Sequence, residues 1–158
     1  MTLPSNKRFP LLLLVVTLIY LVLTTTAVAN EDILTARTSA GFETTLEKAK
    51  LILEENQFTV AHIQRCDGGL RQMGYKTDNY KIIFFGRLDE VRAVTKAHPE
   101  LLPFLPLKLA VFAENKETLL STVNPNSVLA MMPELKEELQ PLFNKWEQEL
   151  RQVLSEFK

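Results

Sequence analysis

The fold is decided by the stretch PLKLAVFAENKETLLSTV, residues 106–123. Its first half alternates between two faces, and the apolar face carries Leu107, Leu109 and Val111. A two-residue period of this kind predicts a strand that buries one face. Asn115-Lys116 is typical of a tight turn, and residues 117–123 then supply a partner strand. The stretch therefore predicts an antiparallel hairpin.

Three more strands are predicted before this hairpin. Residues 33–39 and 58–65 alternate and contain branched side chains, which is typical of strands. Residues 80–86 contain the continuous apolar run Ile82-Ile83-Phe84-Phe85, which is too short for a helix and predicts a strand covered on both faces. Residues 66–69, with two glycines, predict a turn after the second strand.

Helices are predicted between and after the strands. Gly41 can cap a first helix whose apolar face repeats at spacings of three and four, and Asn56 is expected to end that helix in left-handed geometry. Asp89 is expected to cap a short helix that ends before Pro99. After Asn124-Pro125 a long apolar stripe predicts a C-terminal helix, which Pro141 would kink or restart. The order is β-α-β-β-β-β-α, which gives an α+β domain with an antiparallel sheet of four to five strands and packed helices.

The N-terminus carries the pattern of a secretory signal peptide. Lys7 and Arg8 precede an apolar run over residues 11–23, and small residues at Ala27 and Ala29 favour cleavage before Asn30. The chain is thus divided into a cleaved signal at residues 1–29 and a single domain at residues 30–158. The alternative is an uncleaved anchor that holds the domain at a membrane surface, although the apolar run of 13 residues is shorter than the ~20 that span a bilayer. We expect a periplasmic or secreted protein of the bacterial cell envelope.

Charge and cysteine content limit the possible functions. Removal of residues 1–29 would leave 16 basic and 19 acidic side chains, a net charge of −3. A mildly acidic chain with scattered lysines lacks the basic surface that nucleic acid requires, so we expect no nucleic-acid partner. The only cysteine, Cys66, has no second thiol in the chain with which to form a disulfide.

The chain also resembles the DUF302 family, a group of small domains of unknown function. The resemblance covers roughly residues 33–155 and rests on Gly41-Phe42-Glu43-Thr44-Thr45-Leu46, Asn56-Gln57-Phe58-Thr59-Val60, Gly74, Ile83-Phe84-Phe85-Gly86, the block at residues 105–111 and Asn124-Pro125. It implies a TBP-like α+β fold, often dimeric, and no established reaction. This sequence has Gln64-Arg65 where the family commonly carries Asp-His, and Arg87-Leu88 where it tends to carry Asn-Pro. If those positions form a pocket, this member has rebuilt it.

The most concentrated polar segment contains His62, Arg65, Cys66 and Arg71, and Arg87 follows Gly86 further on. Two arginines near a thiol would favour the thiolate, and Arg87 could meet an anion. The simpler interpretation is an unpaired thiol beside a turn and a solvated arginine. No spacing predicts a metal site, a cofactor or a catalytic residue.

Two hypotheses of function follow. The first is a non-enzymatic, homodimeric protein that binds a ligand or partner in a groove beside the sheet. The second is a thiol-dependent redox or sulfur-handling protein that uses Cys66, or a disulfide across a dimer. The C-terminal apolar stripe fits ordinary packing of the helix on the sheet, or contact with the same helix of a second copy.

Overall fold

The computed structural model describes residues 31–158; the predicted signal peptide and its cleavage site lie outside the described residues. Ten helices and strands follow one another in this part of the chain: β1 (Ile33–Thr38), α1 (Phe42–Glu55), β2 (Thr59–Arg65), α2 (Cys66–Gln72), β3 (Tyr80–Gly86), α3 (Leu88–Ala97), β4 (Leu107–Glu114), β5 (Glu117–Val123), α4 (Pro125–Ala130) and α5 (Lys136–Ser155). Short 3-10 turns precede β4 and α5. The prediction of an α+β domain with an antiparallel sheet is confirmed.

The five strands form one antiparallel sheet in the order β1-β5-β4-β3-β2. The predicted hairpin is its centre, with Ala110 of β4 opposite Ser121 of β5, and Asn115 turns the chain with a φ of 57°. The first two strands of the chain therefore lie at the two edges, and the last two strands pair in the interior.

One face of the sheet is buried under α1 and α5. The strands contribute alternating residues to this core, and the helices contribute their apolar stripes. The C-terminal stripe is fully used in this way: Leu139, Phe143, Trp146, Leu150, Val153 and Leu154 are all buried. Ordinary packing of the helix on its own sheet therefore accounts for these six residues.

The opposite face of the sheet differs from the prediction. Ile83 and Phe85 are buried, but their neighbours Ile82 and Phe84 are only half-buried, because they point away from the helices. We call this side the open face; it includes Ile33, Ile82, Phe84, Lys108, Ala110, Phe112, Leu119 and Val123, none of which is buried. The run at residues 82–85 is thus covered on one face only by the described chain.

Three local predictions need correction. Residues 66–69 form the start of α2 and not a turn, and an ion pair between Asp67 and Arg71 one helical turn later supports this short helix. Helix α3 begins at Leu88 with Arg87 at its cap, so Asp89 lies inside its first turn, where a carboxylate interacts favourably with the helix dipole. Asn56 is not left-handed; Gln57, the next residue, takes that geometry with a φ of 64°.

The C-terminal helical region also differs in detail. It divides into α4 and α5, and α5 continues through Pro141 in its second turn without restarting there. Asn124 starts α4 because its side chain accepts a hydrogen bond from the backbone N–H of Asn126 at 2.9 Å. The Asn124 amide also donates to the carbonyl of Glu31, which ties the start of the described chain to α4.

Candidate functional site

The predicted Cys66 locus does not form an activated thiol. Cys66 is the first residue of α2, and its Sγ lies 3.9 Å from the backbone oxygen of Gln64. Burial raises the pKa of Cys66, and the negative charge of Asp67 raises it further. The expectation that nearby arginines lower this pKa is therefore wrong.

Arg71 binds other groups instead of the thiol. Its guanidinium lies 3.2 Å from the Asp67 carboxylate and donates to the Asn79 side chain at 3.0 Å and to the carbonyl of Thr77 at 3.3 Å. These contacts join α2 to the segment that leads into β3. Arg71 is thus a structural residue, and its charge is largely offset by the buried Asp67, whose side chain is 5% exposed.

The other two residues of the predicted locus are spread along the edge strand β2. His62 lies on the open face, with its ring 6.1 Å from that of Phe84 and its Nε2 3.3 Å from the Gln64 side chain. Arg65 ends β2 and is exposed. Among the described residues no base or cation makes a hydrogen bond with the Cys66 thiol. Residues 31–158 also contain no group of His, Cys, Asp or Glu side chains that could hold a metal ion.

Arg87 lies at the far end of β3 from Cys66. Arg65, next to Cys66, pairs with Lys81 near the start of β3, whereas Arg87 follows its last residue, so about 20 Å of strand separates them. Arg87 makes two hydrogen bonds to Glu149 of α5, at 2.7 and 3.0 Å, and one to the carbonyl of Asn56 at 2.9 Å. The predicted solvated arginine is instead a mostly buried contact between α1, β3 and α5.

A second carboxylate extends this contact. Glu90 lies 3.7 Å from Arg87 and accepts hydrogen bonds from Lys145 at 2.6 Å and from the Trp146 indole at 2.7 Å. Burial by itself would raise the pKa of Glu90, but the bonds from Lys145 and Trp146, with the charges of Lys145 and Arg87, outweigh it and leave the pKa lowered. Glu90 is therefore a structural carboxylate that holds α3 against α5.

Cys66 is expected to alkylate more slowly than free cysteine at pH 7.5, since a raised pKa leaves less thiolate. The measurement is the rate of iodoacetamide labelling between pH 6.5 and 10, which should show a midpoint above that of free cysteine. Asp67→Asn removes the neighbouring negative charge and should move the midpoint downward. A wild-type midpoint below that of free cysteine would restore the thiol-dependent hypothesis.

The feature best suited to a ligand is a cavity beside the sheet; the sequence predicted a groove there but none of the residues that line it. It has a volume of about 170 Å³ and lies between the β4 and β5 ends and the helices α4 and α5. Its walls are mostly apolar and include Phe104, Leu107, Val128, Phe143 and Trp146. We call it the side cavity.

Lys108 lies at the boundary between the side cavity and the open face. Together with Thr122 and Val123 it lines the cavity and also a shallow depression on the open face, of about 180 Å³. Its ammonium donates to the carbonyl of Pro103 at 3.0 Å and lies 6.0 Å from the ring centre of Phe84. Burial lowers the pKa of Lys108.

Only part of this site could be predicted from the sequence. Lys108 is a cation within an alternating apolar strand, which marks it as unusual. The cavity walls, however, come from segments up to 43 residues apart, Pro103 to Trp146. No local period reveals where two helices leave a gap against a strand end.

None of the helices between residues 31 and 158 has the length and apolar character that a membrane span requires.

Comparison with known proteins agrees with the fold. The family described as "Domain of unknown function DUF302" matches residues 34–157. A crystal structure of the uncharacterized conserved protein DUF302 from Bacillus stearothermophilus is similar, with a TM-score of 0.71 and 24% identity over 81% of this chain and 99% of that one. At this identity the likeness supports the fold alone. No curated protein matches the sequence.

Proposed function

This chain belongs to the DUF302 family, whose function is unknown, and we propose that it is an exported, non-enzymatic protein that binds a small ligand in the side cavity. The observation that supports this function is the cavity itself: an apolar recess of about 170 Å³ with one cation, Lys108, at its mouth. Ligand sites are commonly concave and apolar, with few polar groups to orient the ligand.

The arrangement of the polar side chains argues for binding over catalysis. Cys66 lies beside Asp67 with a raised pKa, and Arg71 and Arg87 each bind a carboxylate in the protein. In the described residues none of these groups reaches the side cavity. A nucleophile needs a base within hydrogen-bond reach, and among the described residues the Cys66 thiol makes its one hydrogen bond to a backbone carbonyl.

The proposal also includes a homodimer formed through the open face. This face presents several half-buried apolar side chains in one layer, among them Ile82, Phe84, Phe112 and Leu119. Five strands about 4.8 Å apart and about seven residues long give a face of roughly 400–500 Å², below the ~800 Å² per partner of a standard interface. We therefore propose a weak dimer, and sedimentation of purified protein that stays monomeric at millimolar concentration would contradict it.

Export rests on the N-terminal sequence. The basic residues, apolar run and small residues at Ala27 and Ala29 support cleavage before Asn30 and delivery to the periplasm or beyond. Intact-mass measurement of the protein recovered from the producing cell tests this directly. A chain that retains residues 1–29 would instead support attachment to a membrane surface.

The experiment for ligand binding is a screen by ligand-observed NMR with compounds of one ring or fewer. The set should contain neutral, cationic and anionic members, so that binding is detected whatever the charge preference. Saturable binding that also changes the fluorescence of Trp146, the chain's only tryptophan and part of the cavity wall, is the expected result. A complete set without any such compound would refute the proposed function.

A further inference from the structure

The side cavity has the size of a single ring. Its volume of about 170 Å³ is slightly larger than an engineered apolar protein cavity of ~150 Å³ that binds benzene. Trp146 and Phe143 are almost fully buried in its wall, 1% and 2% exposed, so the recess is bounded by packed core residues. A ligand of about six to ten non-hydrogen atoms fills such a space.

Lys108 supplies a cation whose charge the described protein does not neutralise. Within residues 31–158 no carboxylate lies within 4 Å of its ammonium, which makes one hydrogen bond to the protein, to the Pro103 carbonyl. An ammonium has three protons to donate, so two remain for other acceptors. The lowered pKa of Lys108 agrees with a partly desolvated charge that lacks an anion.

We propose that the side cavity binds a small monocarboxylate that carries an aromatic ring or a branched apolar group. The apolar group occupies the recess beside Phe143 and Trp146, and the carboxylate lies at the mouth, where it accepts a hydrogen bond from the Lys108 ammonium. A carboxylate suits this position because it neutralises the charge and uses the free donors, and the mouth leaves its remaining lone pairs in contact with water.

This inference rests on the proposed function and adds the class of ligand to it. It also agrees with the position of Lys108 between two surfaces. The lysine lines the cavity and the depression on the open face, so its ammonium can meet a charged group without drawing that group into the apolar recess. Burial of a carboxylate deeper in the cavity would be costly, because the walls there offer few donors.

The test compares phenylacetate with 2-phenylethanol, which has the same ring and chain length but no charge. Binding is followed by Trp146 fluorescence and ligand-observed NMR. Phenylacetate is expected to bind wild-type protein with a dissociation constant on the order of 0.1–1 mM, given its ten non-hydrogen atoms. It should bind at least about tenfold more tightly than 2-phenylethanol, because only phenylacetate offers the Lys108 ammonium a charged hydrogen-bond acceptor.

Two variants and a control locate the effect. Lys108→Met keeps the apolar stem and should remove the preference for phenylacetate while 2-phenylethanol binds as before. Lys116→Met, in the exposed β4–β5 turn, should change neither affinity. Val128→Phe fills the recess from α4 and should abolish binding of both compounds.

The outcomes separate the two proposals. Equal affinity of wild-type protein for both compounds, or an unchanged preference in Lys108→Met, overturns the carboxylate inference and leaves ligand binding in the cavity intact. Binding that persists in a folded Val128→Phe variant overturns the inference by placing the compounds elsewhere. Should neither compound bind while a cationic member of the broader screen does, the inference is overturned and the proposed function stands.

Discussion

Replacing Trp146 by alanine is expected to lower the free energy of unfolding by about 4 kcal/mol, within the range seen when a large buried aromatic is removed. Trp146 is 1% exposed, packs 4.9 Å from Phe143 between ring centres, and donates its indole N–H to Glu90 at 2.7 Å. The loss has two causes: a new void forms beside the existing cavity, and a carboxylate oxygen of Glu90 loses its hydrogen-bond donor. For a domain whose total stability is about 5–15 kcal/mol, this is a large fraction.

The measurement is urea unfolding followed by far-ultraviolet circular dichroism, which does not depend on tryptophan fluorescence. Trp146→Phe is the matched variant: it keeps most of the apolar volume and loses the indole N–H, so it should cost about 1–2 kcal/mol. Glu90 retains Lys145 at 2.6 Å in that variant, which limits the penalty. Equal losses for alanine and phenylalanine would show that the hydrogen bond, and not packing, accounts for the stability of this position.

Replacing Arg87 by methionine is expected to cost about 3 kcal/mol, because it leaves a largely buried carboxylate without its cation. Arg87 and Glu149 are 15% and 21% exposed, and their two hydrogen bonds are accompanied by the bond to the Asn56 carbonyl. The guanidinium also lies 4.4 Å from the ring centre of Phe58. Methionine can keep the contact with Phe58 but none of the polar bonds.

A double-mutant cycle isolates the ion pair. Glu149→Gln removes the unpaired charge, so Arg87→Met/Glu149→Gln should recover part of the loss, with a coupling energy of about 1–3 kcal/mol. Arg37→Met is the control, since Arg37 pairs with Glu114 and Glu117 and the three side chains are 50%, 39% and 54% exposed. It should cost much less than Arg87→Met, because exposed ion pairs contribute little to stability. A similar cost for both arginines would contradict the structural role assigned to Arg87.

The strands were predictable because either an alternation of apolar and polar residues or a short apolar run marks each of them. Buried and half-buried side chains alternate over most of residues 107–114, as the sequence pattern predicts. The bounds of β1, β3 and β5 agree with the prediction to within one residue. Helix α1 was equally clear from its apolar spacing. These features are local, so neighbouring residues contain the information that determines them.

The errors come from contacts that the local periodicity of the sequence does not reveal. The two glycines at residues 68 and 69 have low helix propensity and suggested a turn, yet α2 forms with Asp67 buried and paired to Arg71. The sequence indicated a solvated Arg87, because its partner Glu149 lies 62 residues away along the chain and neighbouring residues give no sign of it. The side cavity is a gap between packed elements, and the sequence has no periodic sign of such a gap.

The strand order has a consequence for how the chain is made. Strand β1 at the beginning of the domain pairs with β5 near its end, with Ile33 opposite Val123. Those residues are 90 positions apart. At a translation rate of about 5–20 residues per second, β5, the partner of β1 in the described sheet, is therefore synthesised roughly 5–20 s after β1. Until then the sheet is incomplete at the edge nearest the N-terminus. The export signal that we propose at that end therefore has time to be recognised by the secretion machinery before the domain acquires a folded shape that would obstruct passage through a narrow channel.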